Sequence, residues 1–528
     1  MVKHYTIMKL KTLIILLFLT PAVWGQDTLS LQECRRLALQ NNLKVKIARE
    51  NVAKATSLKK FAKTYFFPSF SATGSYRRVG SNFSLLNESM FLPVVPNEAR
   101  NNHGGLDQEA LDNNPQLAQA TFAEIVPYTD DAGNILLDES GEPIMGPKLD
   151  ENGDPVFKQY TYLPQDEVTI GSKNLFMVGA NMNQTVYAGG KVRKTHEAAQ
   201  INEKIARNKQ EMKTADILLE TEESYWRVIS VKEKVKMARE YKSMLQKLLN
   251  DLKNYKEEGI ITNNELLKAK VKLNNVELQL MQAENGLHLS RMALNQLIGL
   301  PMDSTVQLKG RLDTSQVKLM KEETLLDMAM NQRPEIKALE NGIKLSGKGV
   351  ELMQSRFMPN IGLQAGYMFM NPNPYNGFAN EFGGDWSVGL TLQMPLFQWG
   401  NRLHTLEAAK SEKRRAQYEL QDAREKIRME VKKKRYEYNE KVKKVRMTRL
   451  SMEQAKENME LTRNNFEEGM LKTSDLLEAQ AMYQDARSKH IDAMTELRLK
   501  QTALQKAAGK LLQQYRQQQE PQSRKNGN

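Results

Sequence analysis

Carboxylates offer most of the chemistry in this chain. Asp475 and Glu478 stand three residues apart in Thr473-Ser-Asp-Leu-Leu-Glu478, a pattern that suits the opening turn of a helix. Several copies set around one axis would concentrate negative potential, favour cations and raise one another's pKa values by like-charge repulsion. The plainer role for an acid in a first turn is to complement the helix dipole. Glu265, the counterpart earlier in the chain, reads as a cap only.

Other reactive groups do not gather. Asp130–Asn134 (DDAGN), Asp138–Glu142 (DESGE) and Asp150–Asp154 (DENGD) superficially resemble calcium loops. None completes the ligand spacing with a terminal bidentate Glu, and hairpin turns explain them better. The six histidines are scattered, and neither a phosphate loop nor a nucleophile elbow occurs. Cys34, the single cysteine, falls on a helical apolar stripe with Leu31, Leu37 and Ala38. It reads as a small core residue and has no partner for an internal disulfide. No enzyme activity, cofactor or metal site is expected.

The elements around these residues are unusual. Lys3, Lys9 and Lys11 precede the apolar run Leu13 to Leu19, and Val23-Trp24-Gly25 precedes Gln26. This reads as a signal peptide over residues 1–25, the run being too short for a membrane-spanning helix. The formal charge of +13 would ordinarily raise nucleic acid as a partner. Here Lys and Arg interleave with Glu along helices instead of forming a patch, so no nucleic acid is expected. Residues 81–171 differ, being acidic, poor in Lys and Arg, and home to eight of the seventeen prolines.

The chain is an internal duplication, a signal that ranks above other organisation. Residues 178–190 (VGANMNQTVYAGG) align with 388–400 (VGLTLQMPLFQWG) at an offset of 210, which also places Gly259 on Gly469, Glu265 on Asp475 and Gly299 on Gly509. Upstream, Ala38, Val45, Pro68 and Tyr76 match Ala329, Ile336, Pro359 and Tyr367 at an offset of 291. The difference marks an insertion between Tyr76 and Val178, where the acidic segment lies.

The first repeat is expected over 26–300, with helices 30–64, 191–258 and 262–298, strands 68–78 and 174–187, and an extracellular insertion at 81–171. The second is expected over 301–512, with helices 322–356, 401–468 and 473–511 and strands 359–370 and 385–397; a polar tail at 513–528 follows. The four strands alternate with a period of two, and the last does so most cleanly, Trp386, Val388, Leu390, Leu392 and Met394 opposing Ser387, Gly389, Thr391 and Gln393. Their length and their aromatic ends suit tilted membrane strands. Four strands cannot close a barrel, and an open edge in hydrocarbon leaves backbone groups unpaired, so several chains must share one.

No proline interrupts 165–300 or 396–520, which permits helices of roughly 100 Å at 1.5 Å per residue. Leu266, Leu273, Leu280, Leu287 and Leu294 repeat in sevens, as in a coiled-coil seam. Between the long and short helices, Gly259 and Gly469 suit left-handed helix ends, and Thr262 with Glu265 has capping-box spacing. The fold class is therefore mixed α and β, a long coiled-coil helical barrel joined to a transmembrane β-barrel.

Over nearly its whole length past residue 25 the chain resembles the TolC-like outer-membrane efflux proteins. The resemblance rests on the tandem strand pairs and on the two turns, Gly259–Lys270 (GIITNNELLKAK) and Gly469–Gln480 (GMLKTSDLLEAQ). It implies a homotrimeric exit duct of an efflux or type I secretion system, in outer-membrane lipid with its helical part in the periplasm. The implied partners are a periplasmic adaptor (a membrane-fusion protein) and an inner-membrane pump. Asp475 and Glu478 match the acidic positions that ring the family's constriction. Gly259, Thr262, Glu265, Phe466, Gly469, Leu471, Thr473 and Leu476 match the tip that meets the adaptor. Leu471 departs from members that carry a basic gating residue there. Two other readings share some features: a periplasmic coiled-coil spacer, and a surface-binding protein whose 81–171 loop acts while the barrel anchors it.

Overall fold

A computed structural model describes residues 28–81, 83–84, 86–170, 172–312 and 321–523; the signal segment expected at 1–25 lies outside them. The chain forms two compact units.

The helical unit is drawn from the chain before Phe67, from Ala188–Pro359 and from the chain after Gln393. Its helices are α1 (Leu31–Asn41), α2 (Leu43–Thr64), α3 (Lys191–Glu257), α4 (Asn263–Ile298), α5 (Glu322–Gln332), α6 (Pro334–Ser355), α7 (Asn401–Glu467), α8 (Thr473–Ala507) and α9 (Lys510–Ser523). The two long helices, α3 and α7, have 67 residues each. Each starts after a glycine with positive φ, Gly190 at +78° and Gly400 at +80°.

Duplication is visible in the packing. One core joins Ala38 and Val45 to Ile217, Val228 and Leu294. Another joins Ala329 and Ile336 to Ile427, Tyr438 and Leu504, the same positions one repeat later. Every leucine of the heptad in α4 is buried or half-buried. Burial of this kind, at about 25 cal/mol per Å² of apolar surface, holds together helices whose remaining faces are charged.

Three expectations need correction. The single helix expected over 30–64 is two, broken at Asn42, whose backbone is extended (φ −62°, ψ 127°). The Asn42 side chain accepts from the Lys44 N–H at 2.9 Å and donates to the Leu297 carbonyl at 2.9 Å, so it caps α2 and ties the break to α4. The helix expected over 322–356 is also two. Its break is at Arg333, the equivalent position, before Pro334, which has no N–H and disfavours helical backbone in the residue preceding it. Finally, the last helix, expected over 473–511, stops at Ala507, and a separate helix, α9, runs from Lys510 to Ser523 through the expected tail. Leu511 is buried in the first core, with Leu512 and Tyr515 packed against it.

The second unit comprises Phe67–Tyr187 and Asn360–Gln393. Its main sheet has four strands in the order β1 (Ser69–Arg78), β2 (Asn174–Ala188), β3 (Asn360–Asn371), β4 (Gly383–Gln393). β1 and β2 pair antiparallel from Ser69–Asn183 to Arg78–Asn174, and β3 and β4 from Asn360–Gln393 to Met370–Gly383. β1 and β4 have a neighbour on one side only.

Beyond β1 and β2 the same hairpin continues into the insertion. Val79 N–H donates to the Lys173 carbonyl, Phe83–Ser84 pairs with Thr169–Ile170, and Met90–Pro93 pairs with Tyr160–Leu163. The ladder ends in a head with a core of its own, Ala99, Leu111 and Phe122, beside the short helices Gln108–Asn113 and Pro115–Thr121. The acidic runs are turns. Asp130, Asp138 and Asp150 each accept from backbone N–H groups two and four residues on, and Gly133, Gly141 and Gly153 have φ near +85°.

Candidate functional site

The sequence-selected residues converge on two helical turns. At the first, α3 closes with Gly259 at φ +73°. The Gly259 N–H donates to Lys256 and the Ile260 N–H donates to the Tyr255 carbonyl at 2.8 Å. At the second, Gly469 has φ +75°, its N–H donates to Phe466, and the Met470 N–H donates to Asn465 at 2.9 Å. Both are Schellman endings, in which a left-handed residue lets orphan carbonyls of the last turn find donors. A side chain would meet no atom within 4 Å at either glycine, so conformation alone selects the residue type.

The entries to the next helices differ. Thr262 is extended before α4, but its side chain makes no capping hydrogen bond; the box expected between Thr262 and Glu265 does not form. Before α8, the Asp475 carboxylate accepts from the Lys472 N–H at 3.2 Å and from the Ser474 hydroxyl at 3.3 Å. Asp475 and Glu478 are exposed, and neither joins an ion pair among the described residues. In one protomer, then, Asp475 is a cap facing solvent.

Below the turns the two hairpins pack on each other. Leu476 and Leu477 of α8 enter a core with Tyr241, Leu245, Leu252, Leu266 and Ala269 of the first hairpin, and Phe466 and Ile261 close its edge. Leu471 is half-buried. Charges flank this seam: Lys234–Asp492 and Arg487–Glu240 tie α3 to α8, and Lys242–Glu277 ties α3 to α4. Periodicity does not reveal that the seam also buries polar atoms with no partner, the Tyr241 hydroxyl, Thr473 Oγ1 and Gln480 Oε1. Burial pushes the Tyr241 phenol up to about 12. Each such atom costs about 1–3 kcal/mol, so the contact between the hairpins is weaker than its apolar area suggests.

A second set of side chains is apolar and unpartnered. On the sheet, Phe70, Val388, Leu390 and Leu392 are each more than 60% exposed. On α7, Leu403, Tyr418, Met429, Tyr436, Met447 and Leu450 form an exposed series. A groove of about 600 Å³ between α2 and α3 has a floor of Ile47, Ala48, Ala55 and Ala206 and a rim of lysines. Exposed apolar surface on this scale marks surfaces that meet lipid or protein.

Comparison with known proteins agrees with this geometry. The family model described as "Outer membrane efflux protein" matches residues 160–300 and 325–510. The alkaline protease secretion protein AprF of Pseudomonas aeruginosa is 22% identical over 271 residues, 51% of this chain and 56% of that protein, so the chain spans little more than half of that relative. The outer membrane protein TolC of Vibrio cholerae is 22% identical over 369 residues, 67% of this chain and 83% of that protein. Among solved structures, the CmeC outer membrane channel of Campylobacter jejuni superposes with a TM-score of 0.64 at 16% identity, covering 93% of this chain and 90% of that one. The open-state MtrE channel of Neisseria gonorrhoeae gives 0.64 at 16%, covering 91% and 89%.

Proposed function

The chain belongs to the outer membrane efflux protein family, and on that footing we propose that it is the exit duct of an efflux or type I secretion system. The observation that carries this reading is the four-stranded sheet with an open edge on each side and apolar side chains exposed along it. In hydrocarbon each unpaired backbone group costs several kcal/mol, so such a sheet persists only where copies close a barrel together. Three copies give twelve strands, the homotrimer that the family resemblance implies. The exposed series on α7 and the lysine-rimmed groove between α2 and α3 are surfaces on which neighbouring copies can pack.

The two turns form the inner tip. Gly259, Thr262, Glu265, Phe466, Gly469, Leu471, Thr473 and Leu476 build it, and a periplasmic adaptor and an inner-membrane pump would engage it. Three copies of Asp475 and Glu478 would ring the entrance, where exposed carboxylates favour cations. The chain itself works as a passage and catalyses no reaction.

Planar-bilayer conductance of the purified oligomer, comparing wild type with Asp475→Ala and Glu478→Ala, tests this. Stable single channels whose cation preference falls in the variants are expected. Channels indifferent to both substitutions would reduce these carboxylates to helix caps; no channels from a properly assembled oligomer would remove the duct.

A further inference from the structure

The insertion contradicts the charge of the rest of the chain. Residues 81–171 hold sixteen Asp and Glu against three Lys and Arg, a formal −13, so the remainder carries +26. Within the head, residues 128–145 have no core, and all of them are exposed. They are nevertheless fixed by a closed triangle of backbone hydrogen bonds: Leu136 N–H to the Tyr128 carbonyl, Ile144 N–H to Leu136, and Tyr128 N–H to Ile144, at 2.8–2.9 Å. Tyr128 lies over Gly146, where a Cβ would meet the ring at 2.2 Å. A nearby set repeats the device, Lys148 N–H donating to Glu124, Val156 to Lys148 and Ala123 to Val156.

This frame presents apolar side chains at set positions. Ile135, Leu137 and Met145 are 50–56% exposed, and Leu136 and Ile144 just over 40%. The acids among them fall into two groups. Asp130, Asp138 and Asp150 are occupied in holding their turns. The carboxylates of Asp131, Glu139, Glu142 and Glu151 accept no hydrogen bond and join no ion pair among the described residues. Lys148, the one cation of this stretch, is spent on Glu124 at 2.7 Å. Exposed apolar side chains held on a fixed frame among free carboxylates fit a ligand that is apolar and positively charged, and the frame lowers the ordering cost of binding. Anionic lipid is repelled, and so is a second copy of the head.

We propose that the 128–154 head is a docking surface for a cationic amphipathic polypeptide segment. This goes beyond the duct reading and does not depend on conductance, so either can fail alone.

The test uses the whole purified protein in non-ionic detergent and a fluorescent synthetic Lys/Leu amphipathic peptide, with a Glu/Leu peptide of the same pattern as control. Anisotropy should report binding of the Lys/Leu peptide only. Affinity should fall about tenfold on raising salt to ~0.5 M, where the screening length drops to a few Å. It should fall comparably in Asp131→Asn/Glu139→Gln/Glu142→Gln/Glu151→Gln and in Leu136→Ser/Leu137→Ser/Met145→Ser. These side chains are exposed and lie outside the hydrogen bonds of the frame, so the variants should keep the oligomer. Equal binding of the Glu/Leu peptide, or wild-type affinity in both variants, overturns the proposal. So does an apolar variant that changes only the oligomer's mass, which would assign the face to contact between copies.

Discussion

Arg35 and Glu222 meet in the interior of the helical unit, 187 positions apart in the chain, and the Thr502 hydroxyl donates at 2.7 Å to the other oxygen of that carboxylate. Gln518 of α9 accepts from Arg35 Nη1 at 3.3 Å, while Arg35 Nε is buried without a partner. One buried pair thus links α1, α3, α8 and α9. Removing one member should cost about 3–5 kcal/mol, because the other is left charged and buried, whereas replacing both with apolar residues should cost far less. Thermal unfolding followed by helical circular dichroism should rank Glu222→Leu well below Arg35→Met/Glu222→Leu. Equal loss in both would mean that the pair contributes only packing volume.

Gly469→Ala should destabilise its turn by about 1–2 kcal/mol, the cost of a left-handed residue with a Cβ, and Gly259→Ala by a similar amount. The space is open at both, so Asn, which tolerates this region, should recover part of the loss. Hydrogen exchange of the last turns of α3 and α7 reads the effect. A larger loss for Asn than for Ala would point to contact with another chain instead of backbone strain.

Gln480 is 98% buried with Oε1 unpaired in the seam between hairpins. Gln480→Leu keeps the volume and removes the polar group, so the seam should gain about 1–2 kcal/mol. Slower exchange in the first turns of α8 and rarer channel openings are the expected results. A variant that opens more often would show that the amide has a partner in the assembled protein.

Glu203 is held by Lys59 at 2.5 Å, by Arg207 at 2.6 Å and by the Thr56 hydroxyl at 3.1 Å. The Lys59 bond first, then that of Arg207, lowers the carboxyl to about 2. A carboxylate depressed in the fold adds stability that is present above its ordinary pKa and lost as pH falls through the folded one. Melting temperature should therefore drop between about pH 4.5 and 2 more steeply in wild type than in Glu203→Gln, which should start lower at pH 7. Parallel curves would place the acid sensitivity elsewhere.

Much of this architecture was legible because duplication gives two readings of each element. Gly259 and Gly469 declared the turns together, and the heptad of α4 declared its buried face. The breaks were less accessible. Pro334 signals one, but at Asn42 the break rests on a side chain that caps the next helix and reaches Leu297, a contact made only in the folded state. The capping box at Thr262 failed in the opposite direction: its spacing is right, yet the Thr262 side chain makes no bond to the first turn of α4, and spacing alone does not fix a side-chain rotamer. The unpaired Gln480 and Tyr241 were invisible because a stripe of Leu and Ala does not specify which polar neighbours are buried beside it. The frame of the insertion joins Tyr128, Leu136 and Ile144, eight residues apart like the turns of Asp130 and Asp138; that spacing matches neither the helix nor the strand period, so only the turns were read from it.

The equal length of α3 and α7 has a consequence for how such a chain can change. One added residue inside either helix would rotate everything after it by about 100° around the axis, exchanging the buried stripe for the charged one, so a single addition or deletion there would break the packing of the repeat. The connection between β1 and β2 carries no such phase. There the chain can carry roughly ninety extra residues, 81–171, without disturbing the helical phase of either repeat, because a strand connection has no rotation to keep.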